Sequence, residues 1–87
     1  MNLQKEIASF LLTNIIAKEI DLQPDLQLID SGLIDSIRIV KLIVHLEKEY
    51  QIAFTTEDML PQNFETLQAI VETVIRKKGE VVNENEN

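Results

Sequence analysis

The residues of this chain best placed to do chemistry are an adjacent carboxylate and hydroxyl, Asp35 and Ser36. They follow a turn that contains Gly32, and they immediately precede a run with helical periodicity, SIRIVKLIVHLEKEY. That position puts the serine hydroxyl at a helix N-terminus, where free N–H groups and about half a positive charge favour an attached or bound phosphate. The pattern therefore predicts that the protein carries a group on Ser36.

A catalytic role for Ser36 is not expected from the sequence. A serine nucleophile needs a base within hydrogen-bond reach, and the chain's only histidine is His45. On a helix, His45 would lie about 13 Å further along the axis and on the opposite side. Apart from Asp35, no second base stands beside Ser36. We therefore predict that the chain is not an enzyme and that other proteins act on its cargo.

The helix that begins near Ser36 and ends near Tyr50 sorts into three faces at about 100° per residue. The predicted core face consists of Ile39, Leu42, Ile43, Leu46 and Tyr50. A second face, on the side of Ser36, consists of Ile37, Val40 and Val44, with Glu47 beside them. A third, basic face consists of Arg38, Lys41, His45 and Lys48.

The second face can be interpreted in two ways. It is either a patch that contacts partner proteins beside the attachment serine, or a second buried side packed by the first and last helices. The two interpretations stay open for Val40, whereas exposure is favoured for Ile37 and Val44. The basic face is typical of a solvated surface. Even so, Arg38 and Lys41 lie close enough to Ser36 to influence the choice of partner.

The remaining pattern predicts an all-α fold, since no segment alternates like a strand. The first helix is expected from Leu3 to about Ile20, with Asn2 as its N-cap. A long loop follows, and we expect apolar residues to anchor it to the core: Leu22, Leu26, Leu28 or Ile29, and Leu33.

The second half of the chain is predicted to contain a short helix and a long one. Thr55 or Thr56 caps the short helix, acidic residues follow in its first turn, and Pro61 stops it. The long helix starts near Thr66 and ends with Gly79 as its C′ residue. Basic residues complement the C-terminal dipole of this last helix: Arg76, Lys77 and Lys78. Residues 1–79 are thus predicted to form one domain, and residues 80–87 a disordered tail.

Composition narrows the classes of function. The net charge of −7 argues against a nucleic-acid partner, because phosphate backbones are bound through clustered Lys and Arg. The absence of cysteine excludes disulfides and thiolate metal sites. No metal site is expected, because the aspartates around the loop are not spaced as a calcium loop requires. With no apolar run of membrane-spanning length and no basic, apolar leader, we expect a cytoplasmic protein without membrane insertion.

These features together resemble the acyl carrier and peptidyl carrier proteins, which hold 4′-phosphopantetheine on a serine. The resemblance rests on Asp35–Ser36–Ile37, where that family usually has Asp-Ser-Leu. It continues through LIVHLEKEYQIAF, which is similar to the family's second helix and its exit, and through TLQAIVETVI of the last helix. It covers about residues 3 to 78, which is essentially the whole predicted domain.

The resemblance implies a four-helix bundle of acyl-carrier type, with three main helices, one short helix and a long first loop. It implies that a phosphopantetheinyl transferase moves the arm from coenzyme A to Ser36, and that Asp35 belongs to the recognition motif. An acyl or aminoacyl thioester would then pass from an activating ligase to a downstream acyltransferase, synthase or modifying enzyme. The protein is expected to be a monomer. On physical grounds Asp35 would also be the N-cap, which leaves the Ser36 hydroxyl free.

The sequence departs from the family pattern at the helix that follows Ser36. Arg38 and Lys41 are basic where carriers of fatty-acid synthesis tend to have acids, which argues against a housekeeping role. The segment SGLIDS is more similar to the corresponding segment of stand-alone carriers of specialised pathways, D-alanyl carrier proteins among them. The alternative function is an unmodified helical interaction domain that docks a partner through Ile37, Val40 and Val44.

Overall fold

The structure, a computed structural model, describes the backbone of residues 2–86 and the side chains of residues 2–79. Every regular element in this part of the chain is helical, which confirms the predicted all-α class. The elements are α1 (Leu3–Phe10), a π-helical turn (Leu11–Ile16), α2 (Ser36–Tyr50), two 3₁₀ turns (Glu57–Met59 and Pro61–Asn63) and α3 (Leu67–Glu86). None of the described helices is both long enough and apolar enough to span a bilayer.

The first helix begins where the sequence predicted and ends earlier. The side chain of Asn2 caps it by accepting a hydrogen bond from the Lys5 N–H at 3.0 Å. After Phe10 the helix widens into the π-helical turn, which places Leu11, Ile15 and Ile16 together in the core. Ala17 then adopts a left-handed backbone with φ of 57°, so the helix stops at residue 16 and does not reach Ile20.

The loop between this turn and α2 is tied to the start of α3. The Leu28 N–H donates to the Glu65 carbonyl at 2.7 Å, and the Gln68 N–H donates to the Pro24 carbonyl at 3.0 Å. The predicted anchors are half-buried, except for Leu28, which is fully buried. A further anchor, Ile34, was not among the predicted ones; it is also fully buried and lies two residues before Ser36.

The helix that carries the candidate site, α2, has the predicted bounds and the predicted core face. Leu42, Ile43 and Leu46 are buried, while Ile39 and Tyr50 are half-buried against them. Gln51, with a left-handed φ of 54°, ends the helix as its N–H donates to the Glu47 carbonyl. The core face of α2 therefore fixes how its other two faces are presented.

The predicted short helix consists instead of the two 3₁₀ turns. The side-chain acceptor is an acid of the first turn and not the predicted threonine. Neither Thr55 nor Thr56 accepts a capping hydrogen bond; the carboxylate of Asp58 accepts from the N–H and the hydroxyl of Thr55, both at 2.9 Å. Pro61 begins the second 3₁₀ turn, because its fixed φ suits the first position of a helical turn. The same Asp58 carboxylate pairs with the largely buried Lys77 of α3 at 2.6 Å.

The last helix starts as predicted and continues beyond its predicted end. Thr66 caps it by accepting a hydrogen bond from the Ala69 N–H at 3.0 Å. The helix passes through Gly79 to Glu86, so the prediction of Gly79 as the C′ residue is wrong. The reason is that Gly79 does not adopt the left-handed backbone on which a C′ residue depends. Side chains of residues 80–87 lie outside the description, and the division into a domain and a disordered tail stays a prediction.

Candidate functional site

The candidate site is the first turn of α2, and Asp35 sets its geometry. Asp35 has an extended backbone at the N-cap position, where its Oδ1 accepts a hydrogen bond from the Arg38 N–H at 2.9 Å. Its carbonyl accepts the first intrahelical bond, from the Ile39 N–H at 2.9 Å. The helix offers no acceptor to the N–H groups of Ser36 and Ile37, which precede that bond. The first turn therefore keeps two donors directed out of the helix end.

Ser36 is the first residue of α2, and its side chain is exposed. Within the described part of the chain its hydroxyl takes part in no hydrogen bond. The residue is nevertheless held firmly, because the buried Ile34 donates its N–H to the Leu28 carbonyl at 3.1 Å. The result is an accessible hydroxyl on a fixed backbone.

The chain contains a second Ile-Asp-Ser tripeptide, residues 29–31, and the structure distinguishes the two. Ser31 lies in the turn that precedes Gly32, and its hydroxyl donates to the Leu28 carbonyl at 3.2 Å. Gly32 has a left-handed φ of 81°, which prevents a helix from starting there. Only the second tripeptide opens a helix. The repeated tripeptide is visible in the sequence, but only the structure shows which copy opens a helix.

The predicted partner face is exposed beside Ser36. The exposed fraction is 80% for Ile37, 60% for Val40 and 58% for Val44, so the alternative of a second buried side is wrong for all three. We call these three residues the α2 patch. Glu47, predicted to stand beside them, is half-buried, and its Oε2 accepts a hydrogen bond from the Phe54 N–H at 2.9 Å. Its carboxylate thus fixes the exit from α2, and a role in partner contact stays a prediction.

The predicted basic face lies against neighbouring elements more than the sequence indicated. Arg38 donates through Nη1 to the Leu33 carbonyl at 2.9 Å, and Lys41 donates through Nζ to the Asn14 carbonyl at 3.2 Å. Both side chains remain exposed. The ring of His45 is stacked on that of Phe10 with centroids 3.5 Å apart and planes at 6°. His45 therefore packs against the first helix and is not directed at Ser36.

The Ser36 hydroxyl is accessible to another protein, and no base among the described residues is hydrogen-bonded to it. Ser36 has no histidine beside it, and the carboxylate of Asp35 is engaged with the Arg38 N–H. The residues present do fit a phosphate ester on Ser36. They combine an exposed hydroxyl, free N–H groups at the positive end of a helix of 15 residues, and a guanidinium two residues further on.

Comparison with known proteins agrees with this geometry. The family model described as "Phosphopantetheine attachment site" matches residues 10–74, which is well over half of the 87 residues. The matched span includes Asp35, Ser36, the whole of α2 and the two 3₁₀ turns. No curated protein matches the chain.

Proposed function

The chain belongs to the phosphopantetheine attachment site family, and from this premise we propose that it is a discrete carrier protein with its arm on Ser36. Family membership confirms the predicted resemblance and identifies covalently attached 4′-phosphopantetheine as the cofactor. Carrier domains of this family are generally not catalytic, and they work with phosphopantetheinyl transferases and biosynthetic enzymes. The attachment residue and the path of the cargo are our proposal.

The single observation that carries the proposal is the state of the Ser36 hydroxyl. It is exposed, makes no hydrogen bond within the described residues and stands at the first position of α2. Ser31, the other serine in an Ile-Asp-Ser tripeptide, donates its hydroxyl to a carbonyl and opens no helix. A transferase that reads a helix N-terminus would therefore select Ser36.

Attachment requires little of this chain beyond presentation. The Ser36 hydroxyl gives its proton to the transferase, and its Oγ forms a bond to the pantetheine-side phosphorus of coenzyme A. The phosphorus–oxygen bond to adenosine 3′,5′-bisphosphate breaks in the same exchange. When the arm is attached, the Ser36 and Ile37 N–H groups and the positive charge of Arg38 would stabilise the negative phosphodiester electrostatically. Once attached, the arm supplies a terminal thiol that holds cargo as a thioester.

We further propose that the cargo is an acyl or aminoacyl group that passes from an activating ligase to a downstream acyltransferase, synthase or modifying enzyme. The support is the α2 patch, whose three large apolar side chains are exposed beside Ser36. Exposed apolar residues of this kind, grouped on one face, are typical of protein contact sites. A carrier must be recognised in turn by several enzymes, and all of them must approach Ser36.

The proposal is tested by loading the protein in vitro. We expect incubation with coenzyme A, Mg²⁺ and a broad-specificity phosphopantetheinyl transferase to raise the intact mass by one phosphopantetheinyl group. Ser36→Ala should gain no mass, whereas the matched control Ser31→Ala should be loaded like the wild type. Absence of any gain on the wild type, or an equal gain on Ser36→Ala, would overturn the proposal.

The alternative of an unmodified interaction domain makes the opposite prediction for activity in the host pathway. An interaction domain that docks through the α2 patch would lose activity with Val44→Asp and keep it with Ser36→Ala. A carrier loses activity with Ser36→Ala, because no thioester can form without the arm. We expect Ser36→Ala to abolish pathway activity.

A further inference from the structure

The exposed side of α2 is cationic although the protein is acidic. From Ser36 to Leu46 the helix contains Arg38, Lys41 and His45 and not a single carboxylate. The whole chain carries a net charge of −7. The surface of α2 that follows the proposed attachment serine and its N-cap Asp35 therefore has the opposite sign to the net charge of the molecule.

The two cations nearest Ser36 are held in place without being neutralised. Among the described residues, Lys77 and Asp58 form the only ion pair. Neither Arg38 nor Lys41 therefore has a carboxylate within ion-pair distance. Instead each donates one hydrogen bond to a main-chain carbonyl, Arg38 to Leu33 and Lys41 to Asn14. A guanidinium and an ammonium have further donors to offer, and both residues are exposed. Their positions are fixed while their charge stays available.

These cations border the α2 patch on one side. Lys41 follows Ile37 by four residues and precedes Val44 by three, so it lies next to both on the helix surface. Lys48 follows Val44 by four and extends the same border. On the opposite border the carboxylate of Glu47 is bound to the Phe54 N–H. The patch thus has an apolar centre and a basic edge.

We propose that the phosphopantetheinyl transferase that loads Ser36 docks on the α2 patch with an apolar surface bordered by carboxylates. These carboxylates pair with Arg38 and Lys41, while Ile37 and Val44 fill the apolar part of the contact. Electrostatic complementarity of this kind sets orientation and partner choice more than raw affinity. The acidic remainder of the molecule repels such a surface, so productive encounters are confined to α2. The inference rests on the proposed function, because it concerns the enzyme that modifies Ser36.

The test compares two transferases as probes. The acidic-edged transferase has Asp and Glu residues around its active-site entrance. The basic-edged transferase has Arg and Lys residues there. Loading kinetics are measured on the full chain for the wild type, Lys41→Glu, the double variant Arg38→Glu/Lys41→Glu and the control Lys18→Glu. Lys18 is exposed in the loop after the first helix, so its reversal changes the net charge by as much as Lys41→Glu does, but away from α2.

With the acidic-edged transferase we expect the double variant to lose about tenfold in kcat/KM, mainly through KM. Lys41→Glu alone should lose clearly more than its charge-matched control Lys18→Glu, which should change less than about twofold. With the basic-edged transferase the double variant should gain. Lys41 also donates a hydrogen bond to the Asn14 carbonyl, so its replacement could lower stability. The neutral variant Lys41→Gln and the melting temperature of every variant therefore distinguish a loss of folding from a loss of docking.

The outcomes distinguish failure of the carrier function from failure of the docking inference. If neither transferase loads the wild type, the proposed function fails. If the wild type is loaded but reversal at α2 acts no more strongly than Lys18→Glu, the docking inference is overturned and the carrier function stands. A wild-type preference for the basic-edged transferase would overturn the docking inference as well.

Discussion

At the scale of single residues, Asp35 and Ser36 divide two tasks between them. Asp35 caps the start of α2, because its Oδ1 accepts a hydrogen bond from the Arg38 N–H. The Ser36 hydroxyl is therefore not needed as a cap, and it makes no hydrogen bond among the described residues. A serine at the N-cap would have used its own oxygen for capping. The order Asp-Ser therefore makes the hydroxyl accessible while the helix end remains capped.

This division predicts how substitutions of Asp35 affect stability. We expect Asp35→Ala to lower the free energy of unfolding by about 1 kcal/mol, because the Arg38 N–H loses its acceptor. Asp35→Asn should stay close to the wild type, since asparagine caps helices about as well as aspartate does. Urea unfolding measures both. Asp30→Ala removes the equivalent, exposed acid of the first Ile-Asp-Ser tripeptide and should have little effect. Equal losses for Asp35→Ala and Asp30→Ala would contradict the capping role.

At the scale of elements, Asp58 and Lys77 connect the 3₁₀ turns to α3. The hydrogen bond from Lys77 holds the pKa of Asp58 at about 2, and the bonds from the Thr55 N–H and hydroxyl act in the same direction. Sequence patterns place these residues separately, Asp58 in the first turn of a short helix and Lys77 near the C-terminal dipole of the last helix. The pair spans 19 positions, so no local pattern could have joined them.

The lowered pKa predicts how stability changes with pH. Because the folded-state pKa of Asp58 is about 2, below its ordinary 3.8, the contribution is fully present above about pH 4 and is lost as pH falls towards 2. It amounts to about 2 kcal/mol. We expect the difference in unfolding free energy between wild type and Asp58→Asn to narrow by about this amount between pH 6 and pH 2.

Urea unfolding at the two pH values measures that difference. Asp30→Asn provides the control, since Asp30 is exposed and belongs to no ion pair among the described residues. Its difference from the wild type should stay nearly constant. A gap for Asp58→Asn that is the same at both pH values would show that the ion pair does not carry the predicted linkage.

A comparison of α2 with the first helix shows why some helix boundaries could be predicted and others could not. Both ends of α2 follow from local chemistry, an Asp N-cap and a core stripe that finishes at Tyr50. The end of the first helix depends on the π-helical turn, which gains the burial of Leu11, Ile15 and Ile16 in the core. That gain comes from packing against other elements, so the periodicity of residues 3–20 alone predicts a helix that is too long.

At the scale of the whole molecule, net charge opposes compactness. The chain has 15 acidic and 8 basic residues, and within the described part a single close ion pair is formed. Most of the negative charge therefore acts through mutual repulsion in water, which salt screens with a Debye length of about 10 Å at 0.1 M. The class of fold and the family were predictable because the apolar stripes and the Asp-Ser start are local. The exposure of Val40 was not, since it depends on where the other helices pack.

This repulsion predicts a stabilising effect of salt. We expect the melting temperature to rise by several degrees between low and moderate ionic strength, and Mg²⁺ to act at lower concentration than Na⁺. Thermal unfolding followed by circular dichroism measures the shift. Glu19→Gln, which removes one exposed negative charge, should reduce the shift. A melting temperature that does not change with ionic strength would contradict the expectation.

The most direct test of the central claim is the mass of the protein purified from its own host, followed by fragmentation of the peptide that contains both Ile-Asp-Ser tripeptides. We predict a 4′-phosphopantetheine group on Ser36, with none on Ser31. Any additional mass on the arm would identify the class of cargo. A chain that is wholly unmodified under conditions in which its pathway is active, or an arm on a serine other than Ser36, would contradict the account.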